Sequence, residues 1–176
     1  MNDLEKLGKK YGTDKIGKHN YLPVYYGLFK DRRNEVKKVL EIGVGEGAGL
    51  RMFRDFFPNA MIYGAEIDET RLLKEDRIVA YLCHQGIEKD LIYLIDVIGS
   101  DIDLVIDDGS HKPEDQYFTC ATVMPMLSKK TIYVIEDVAD ESVGKELIKA
   151  LLGFYVNVKK VGKRYDDRLI IIGRIP

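Results

Sequence analysis

From residue 36 onward, short apolar runs rich in β-branched residues alternate with stretches whose apolar positions recur at helical spacing. Such alternation predicts parallel strands joined by crossover helices, because parallel neighbours need a connection long enough to return the chain to the same edge. The runs predict strands over about 36–43, 60–67, 78–84, 102–107 and 131–136. The stretches between them predict helices over about 48–57, 69–76, 87–98 and 114–127. A further helix, over about 141–152, precedes two last apolar runs, FYVNVKKV and DRLIIIGRI. Only Gly162 to Asp166 separate these runs, and a connection that short makes an antiparallel hairpin. The expected fold is α/β and Rossmann-like, a mostly parallel sheet closed by a C-terminal antiparallel hairpin.

The first 35 residues break this rhythm. A helical stretch around Asp3 to Lys10 leads into GTDKIGKHNYLPVYYGLF, a polar loop running into a short amphipathic helix. Residues 1–35 are therefore expected to form a separate leading segment, with 36–176 as a single domain. A chain of 176 residues suits one core.

Charge narrows the partners. A formal net charge of -2 leaves no basic footprint for a nucleic-acid backbone. The longest apolar stretch, Leu91 to Ile98, is interrupted by Asp96 and is far shorter than the roughly 20 residues of a membrane span. The N-terminus has no apolar signal region, so the expected location is cytoplasmic. Cys83 and Cys120 lie in apolar contexts without metal-ligand spacing, which fits buried, reduced thiols.

Candidate chemistry begins at VLEIGVGEGAG, where a buried strand ends in Gly43, Gly45, Gly47 and Gly49 just before a helical run. Glycines at a strand-to-helix turn permit positive φ and let the backbone approach a ligand. Glu66, at the end of the second strand, is placed to accept hydrogen bonds from a ribose diol. Gly43, Gly45 and Ala48 also satisfy the dinucleotide pattern G-x-G-x-x-A, so a nicotinamide-binding oxidoreductase stays open. Glu41 favours S-adenosylmethionine, because a carboxylate there suits a cationic amino acid better than a pyrophosphate.

Two acidic pairs end later strands: Asp107 and Asp108 in DLVIDDGSH, and Glu136 and Asp137 in YVIEDV. Parallel strands open their carboxyl ends onto one crevice, and four carboxylates there repel unless protonated or bound to a cation. Mg²⁺ is the cation expected for oxygen ligands, held by Asp108, Glu136 and Asp137. His111 would then act as the base for a substrate hydroxyl, with Asp108 in the catalytic centre. Helix capping accounts for one of these acids but not all. His84 is read as structural or adjacent to adenine.

The combination of GTDK, HNY, EIGVGEGAG, IYGAEID, DLVIDDGSH and YVIEDV resembles the macrocin and mycinamicin sugar O-methyltransferase family, over about Leu7 to Val138. The resemblance implies the class I methyltransferase fold, S-adenosylmethionine and Mg²⁺ as cofactors, and a sugar or glycan hydroxyl as acceptor. Carried residue by residue, it implies metal binding by Asp108, Glu136 and Asp137 and a general-base role for His111. It also implies that Thr13 to Tyr21 covers the cofactor, with Lys15, His19 and Tyr21 in contact. Near the adenine the chain departs from the family's acidic pattern, with His84-Gln85-Gly86-Ile87, where Gln85 matches. Asp107 completes the expected cofactor contacts. The antibiotic enzymes carry an additional N-terminal region, so a reduced acceptor pocket is expected here, more open to a large glycan or a partner subunit.

Other readings stay open on residues alone. A catechol-type acceptor could chelate the same metal, and the chain could be a non-catalytic cofactor-binding subunit. An exposed apolar edge on the terminal hairpin would favour a homo-oligomer.

Overall fold

The computed structural model describes residues 1–151 and 154–174. The last residue of the expected 141–152 helix, and Ile175 at the end of the last apolar run, lie outside the described residues. Helices α1 (Asp3–Tyr11) and α2 (Leu22–Phe29) precede strand β1 (Lys38–Ile42), α3 (Ala48–Phe56) and β2 (Met61–Glu66). Then follow β3 (Lys74–Glu75), β4 (Ile78–Leu82), α4 (Glu88–Ile98), β5 (Leu104–Asp107) and α5 (Pro113–Val123). The chain continues through β6 (Ile132–Ile135), α6 (Ser142–Ala150), β7 (Phe154–Lys160) and β8 (Arg168–Arg174).

The strands form one sheet in the order β3-β4-β2-β1-β5-β6-β8-β7. Pairs β4/β2, β2/β1, β1/β5 and β5/β6 are parallel, and β8 returns antiparallel between β6 and β7. The chain moves outward from β1 to β4 and then crosses to β5, so the strand order reverses beside the carboxyl end of β1. Open α/β sheets bind ligands at such a switch point.

Alternation along the strands explains the two layers. Val39, Leu104, Ile106, Ile132 and Val134 face one core, with Phe53, Phe56 and Phe57 from and after α3. Leu40, Val105, Tyr133 and Ile135 face the other, with Leu91 and Leu94 of α4, Cys120 of α5 and Leu147 of α6. Residues of β5 and β6 are buried on both sides, which is why their runs are continuously apolar rather than alternating.

The N-terminal segment belongs to the first layer. Leu4, Leu22, Tyr25 and Phe29 are buried in the same core as Phe53 and Ile62. A reciprocal cap between Asn2 and Glu5 starts α1, and Gly12 in the left-handed region ends it.

One expected helix is absent. Residues 69–76 form a single 3₁₀ turn, Glu69–Arg71, followed by the short β3, which pairs antiparallel with β4. Tertiary bonds outweigh the helical spacing there. Glu75 holds Arg51 at 2.6 Å, the Leu73 carbonyl accepts from the Ala80 N–H at 2.8 Å, and Arg77 donates to the carbonyls of Arg54, Phe57 and Ala60. The helix expected over 114–127 stops at Val123, and Pro125 lies in the 3₁₀ turn Met124–Met126 that follows.

Candidate active site

The carboxyl ends of β1, β2, β4 and β5 surround a cavity of about 580 Å³. Its floor is the glycine turn. Gly43 has φ +88°, and a Cβ there would stand 2.2 Å from the Asp108 carbonyl oxygen, so only glycine lets the β1 and β5 loops meet. Gly49, on α3, brings helix backbone against Glu41, whose carboxylate would lie 2.4 Å from any Cβ. Gly43, Gly45, Glu41 and Glu66 all line the cavity; Gly47, at φ +79°, caps α3 beside it.

Glu66 organises the turn. One oxygen accepts from the Val44 and Gly45 N–H groups at 3.0 and 3.2 Å, and the other from Ile67 and Asp68 at 2.9 and 3.0 Å. All four of its lone-pair positions are thereby used, so a ribose diol would compete with the turn's own amides. Gln85 is held as firmly. Its amide donates to Asp107 and to Thr119, each at 3.2 Å, and its carbonyl accepts from Ser110 N–H at 2.6 Å. Gln85 lines the cavity but serves chiefly to fasten the β4 and β5 loops. His84 also lines it, with Nδ1 accepting from the Gly86 N–H at 3.1 Å.

Asp107, expected as a cofactor contact, lies beneath the cavity rather than on its wall. It is buried, 3.2 Å from the Tyr133 hydroxyl, and burial pushes its carboxyl up to about 7. The β5 pleat turns Asp107 to the helix side of the sheet while Asp108 turns to the crevice. Cys83 and Cys120 are free and buried, and burial raises the Cys83 thiol to about 11, away from reactivity.

Lys15 sits where the acids meet. Its ammonium, 2% exposed, is 3.1 Å from Glu41, 2.6 Å from Asp108 and 2.7 Å from Glu136. Desolvation opposes its charge, but the three carboxylates outweigh it and hold Lys15 well above its ordinary value. Lys15 thus serves three carboxylates, of which Glu41 and Glu136 are buried and Asp108 is partly so. Burial pushes Glu41 up to about 7, against the pull of Lys15, and its Oε2 is buried with no hydrogen-bond partner. Tyr25 closes the other side of Glu136 through a 2.6 Å bond.

The expected metal trio is thus divided. Glu136 turns inward to Lys15 and Tyr25, Asp137 faces His111, and Asp108 bridges the two, with one oxygen on Lys15 and the other facing His111. Ligand atoms of Asp108, His111 and Asp137 lie within 4.8 Å of one another; the two carboxylates suit a hard cation such as Mg²⁺, with the imidazole beside them. The His111 ring nitrogens stand 3.9 Å from Asp108 Oδ1 and 3.8 Å from Asp137 Oδ2. Both His111 (φ +59°) and Asp137 (φ +51°) hold left-handed backbone conformations, which are uncommon outside glycine and which His and Asp adopt more readily than most side chains. Asp108 and His111 also line the cavity, so the cluster borders the cofactor space.

His19 and Tyr21, expected over the cofactor, lie instead behind Asp137. The Tyr21 hydroxyl donates to Asp137 Oδ1, and the His19 ring stacks on Tyr21 with centroids 4.8 Å apart. Thr13, Asp14 and Lys15 are the part of that segment that reaches the cavity. Sequence reasoning missed Tyr25 and Asp167, the second of which pairs with His19 at 2.7 Å. Tyr25 reads as a core aromatic and Asp167 as a turn residue, so neither had a local signal.

No protein-family model matches the chain. The 8-demethyl-8-alpha-L-rhamnosyl tetracenomycin-C 2'-O-methyltransferase of Streptomyces olivaceus is 35% identical over 141 residues, covering 76% of this chain and 37% of that protein. Mycinamicin VI 2''-O-methyltransferase of Micromonospora griseorubida is 37% identical over 145 residues, covering 77% and 36%. The solved structure of the MycE methyltransferase from the mycinamycin biosynthetic pathway, in complex with Mg, SAH and mycinamycin VI, superposes with a TM-score of 0.82. That match has 28% identity over 98% of this chain and 54% of that one. The chain therefore spans little more than a third of the length of the curated relatives. By sequence the chain is homologous to the sugar O-methyltransferases over about three-quarters of its length, and its fold is that of the class I methyltransferases.

Proposed function

We propose that the chain is an S-adenosylmethionine- and Mg²⁺-dependent O-methyltransferase acting on a hydroxyl of a sugar. The observation that carries this reading is one cavity with two chemically distinct ends. At the glycine turn, a buried Glu41 oxygen without a partner awaits a cationic donor group. On the other side of Lys15, Asp108 and His111 border the cavity, with Asp137 adjoining. The relatives' named acceptors are sugar moieties of natural products, which supports a sugar-linked acceptor.

Glu41 binds the α-ammonium of the donor, and the Gly43 to Gly49 turn receives its adenosyl portion. Asp108 and Asp137 would hold the divalent ion, with Glu136, which here pairs with Lys15 and Tyr25, as the third ligand. When bound, that ion makes an acceptor hydroxyl more acidic. His111 takes the hydroxyl proton as the oxygen forms its bond to the methyl carbon and the carbon–sulfur bond of the sulfonium breaks. Exposure of 43% at the His111 side chain lets it pass the proton to solvent.

Titration calorimetry with S-adenosylmethionine and with NAD tests the donor assignment. Binding of S-adenosylmethionine without NAD is expected; NAD binding alone would replace this reading with the oxidoreductase one.

A further inference from the structure

Asp137 offers its two oxygens to different neighbours. Oδ2 faces His111, as described, while Oδ1 is taken by the Tyr21 hydroxyl and faces His19 Nε2 at 3.5 Å. His19 Nε2 is buried and has no hydrogen-bond partner. Its other nitrogen, Nδ1, is 2.7 Å from Asp167 Oδ1, and Asp167 Oδ2 accepts from the Arg164 N–H at 2.7 Å. The ring is thereby clamped between the turn that joins β7 to β8 and the end of β6. The Tyr21 hydroxyl and His19 Nε2 both face Oδ1 from that side, and the Asp137 N–H donates to the Tyr21 hydroxyl at 3.3 Å.

We infer that His19, braced by Asp167 and stacked on Tyr21, is a positioning residue that acts with the Tyr21 hydroxyl to hold Asp137 Oδ1 so that Oδ2 faces the cation cluster. The terminal hairpin turn and the N-terminal segment then act together as the outer support of the site. Groups that orient a metal-binding carboxylate typically contribute about 10- to 100-fold in metal affinity. The inference rests on the metal-dependent reading above.

Mn²⁺ binding, followed by electron paramagnetic resonance on the full chain, provides a readout apart from turnover. Two variants divide the ring in half. His19→Asn retains a polar group where Nδ1 meets Asp167 but cannot reach Asp137. His19→Gln extends an amide to the position of Nε2. His19→Asn is expected to lower Mn²⁺ affinity by about tenfold or more, with His19→Gln restoring most of it and S-adenosylmethionine affinity unchanged in both. Wild-type Mn²⁺ affinity in His19→Asn, or an equal loss in both variants, overturns the positioning role alone. If the wild-type chain binds no Mn²⁺, the metal-dependent reading falls with it.

Discussion

Lys15 Nζ stands 2.7 Å from Glu136 and 2.6 Å from Asp108, so a lysine of the N-terminal loop neutralises acids at the ends of two different strands. It supplies a counter-charge to the acidic crevice, and two of its partners, Asp108 and Glu136, are among the acids proposed to hold the metal. Lys15→Met is expected to tighten Mn²⁺ binding by on the order of tenfold in the donor-free protein. The variant should also melt earlier than wild type without metal, because buried carboxylates lose their counterion, and should regain more stability from added Mg²⁺. Unchanged Mn²⁺ affinity would show that Lys15 and the metal do not share ligands.

Asp107 gives stability a pH dependence of defined sign. Its carboxyl titrates near 7 in the folded chain against an ordinary 3.8, with burial as the main cause. Between those values the folded state holds the proton that the unfolded state has released, so this residue's contribution falls as pH rises. Asp107→Asn, which cannot ionise, should gain relative to wild type by up to about 1.4 kcal/mol per pH unit from about pH 4 to 7. Urea unfolding of both proteins across that range measures it; a constant difference would place the carboxyl's titration elsewhere.

Gly43→Ala should destabilise the chain and weaken donor binding together. Its φ of +88° and the 2.2 Å approach to the Asp108 carbonyl mean that a methyl group both strains the turn and drives the β1 and β5 loops apart. A loss of at least about 1–3 kcal/mol is expected from the backbone strain. Wild-type melting and donor affinity would contradict the packing described.

Much of this was legible in the chain's pattern. The buried runs of β5 and β6 and the terminal hairpin were readable because their apolar periods are local. The helix expected over 69–76 was not, because Arg51, Leu73 and Arg77 make β3 through partners distant in sequence. At the site, the strand ends and glycines announced Glu41, Glu66, Asp108 and Asp137. What escaped was which acids share a cation. The pleat turns Asp107 under the sheet, and Lys15 crosses from the N-terminal loop, neither of which spacing can reveal. His19 and Tyr21 were singled out by their motif, yet folding sends them to Asp137 rather than to the donor cavity.

His111→Ala should lower turnover by about 10²- to 10⁴-fold while sparing S-adenosylmethionine affinity, since the imidazole acts on the acceptor's proton. Single-turnover kinetics beside donor titration separate the two effects. Retained turnover would exclude His111 as the base.

Methyl transfer itself is the most direct measurement. The chain is incubated with S-adenosylmethionine carrying a labelled methyl group, a panel of rhamnosyl and deoxysugar glycosides, and Mg²⁺, then analysed by mass spectrometry. The expected result is labelled methyl on a sugar hydroxyl, abolished by chelator and restored by Mg²⁺. Label on a nitrogen or carbon, or transfer that proceeds undiminished in chelator, would contradict a metal-assisted sugar O-methyltransferase.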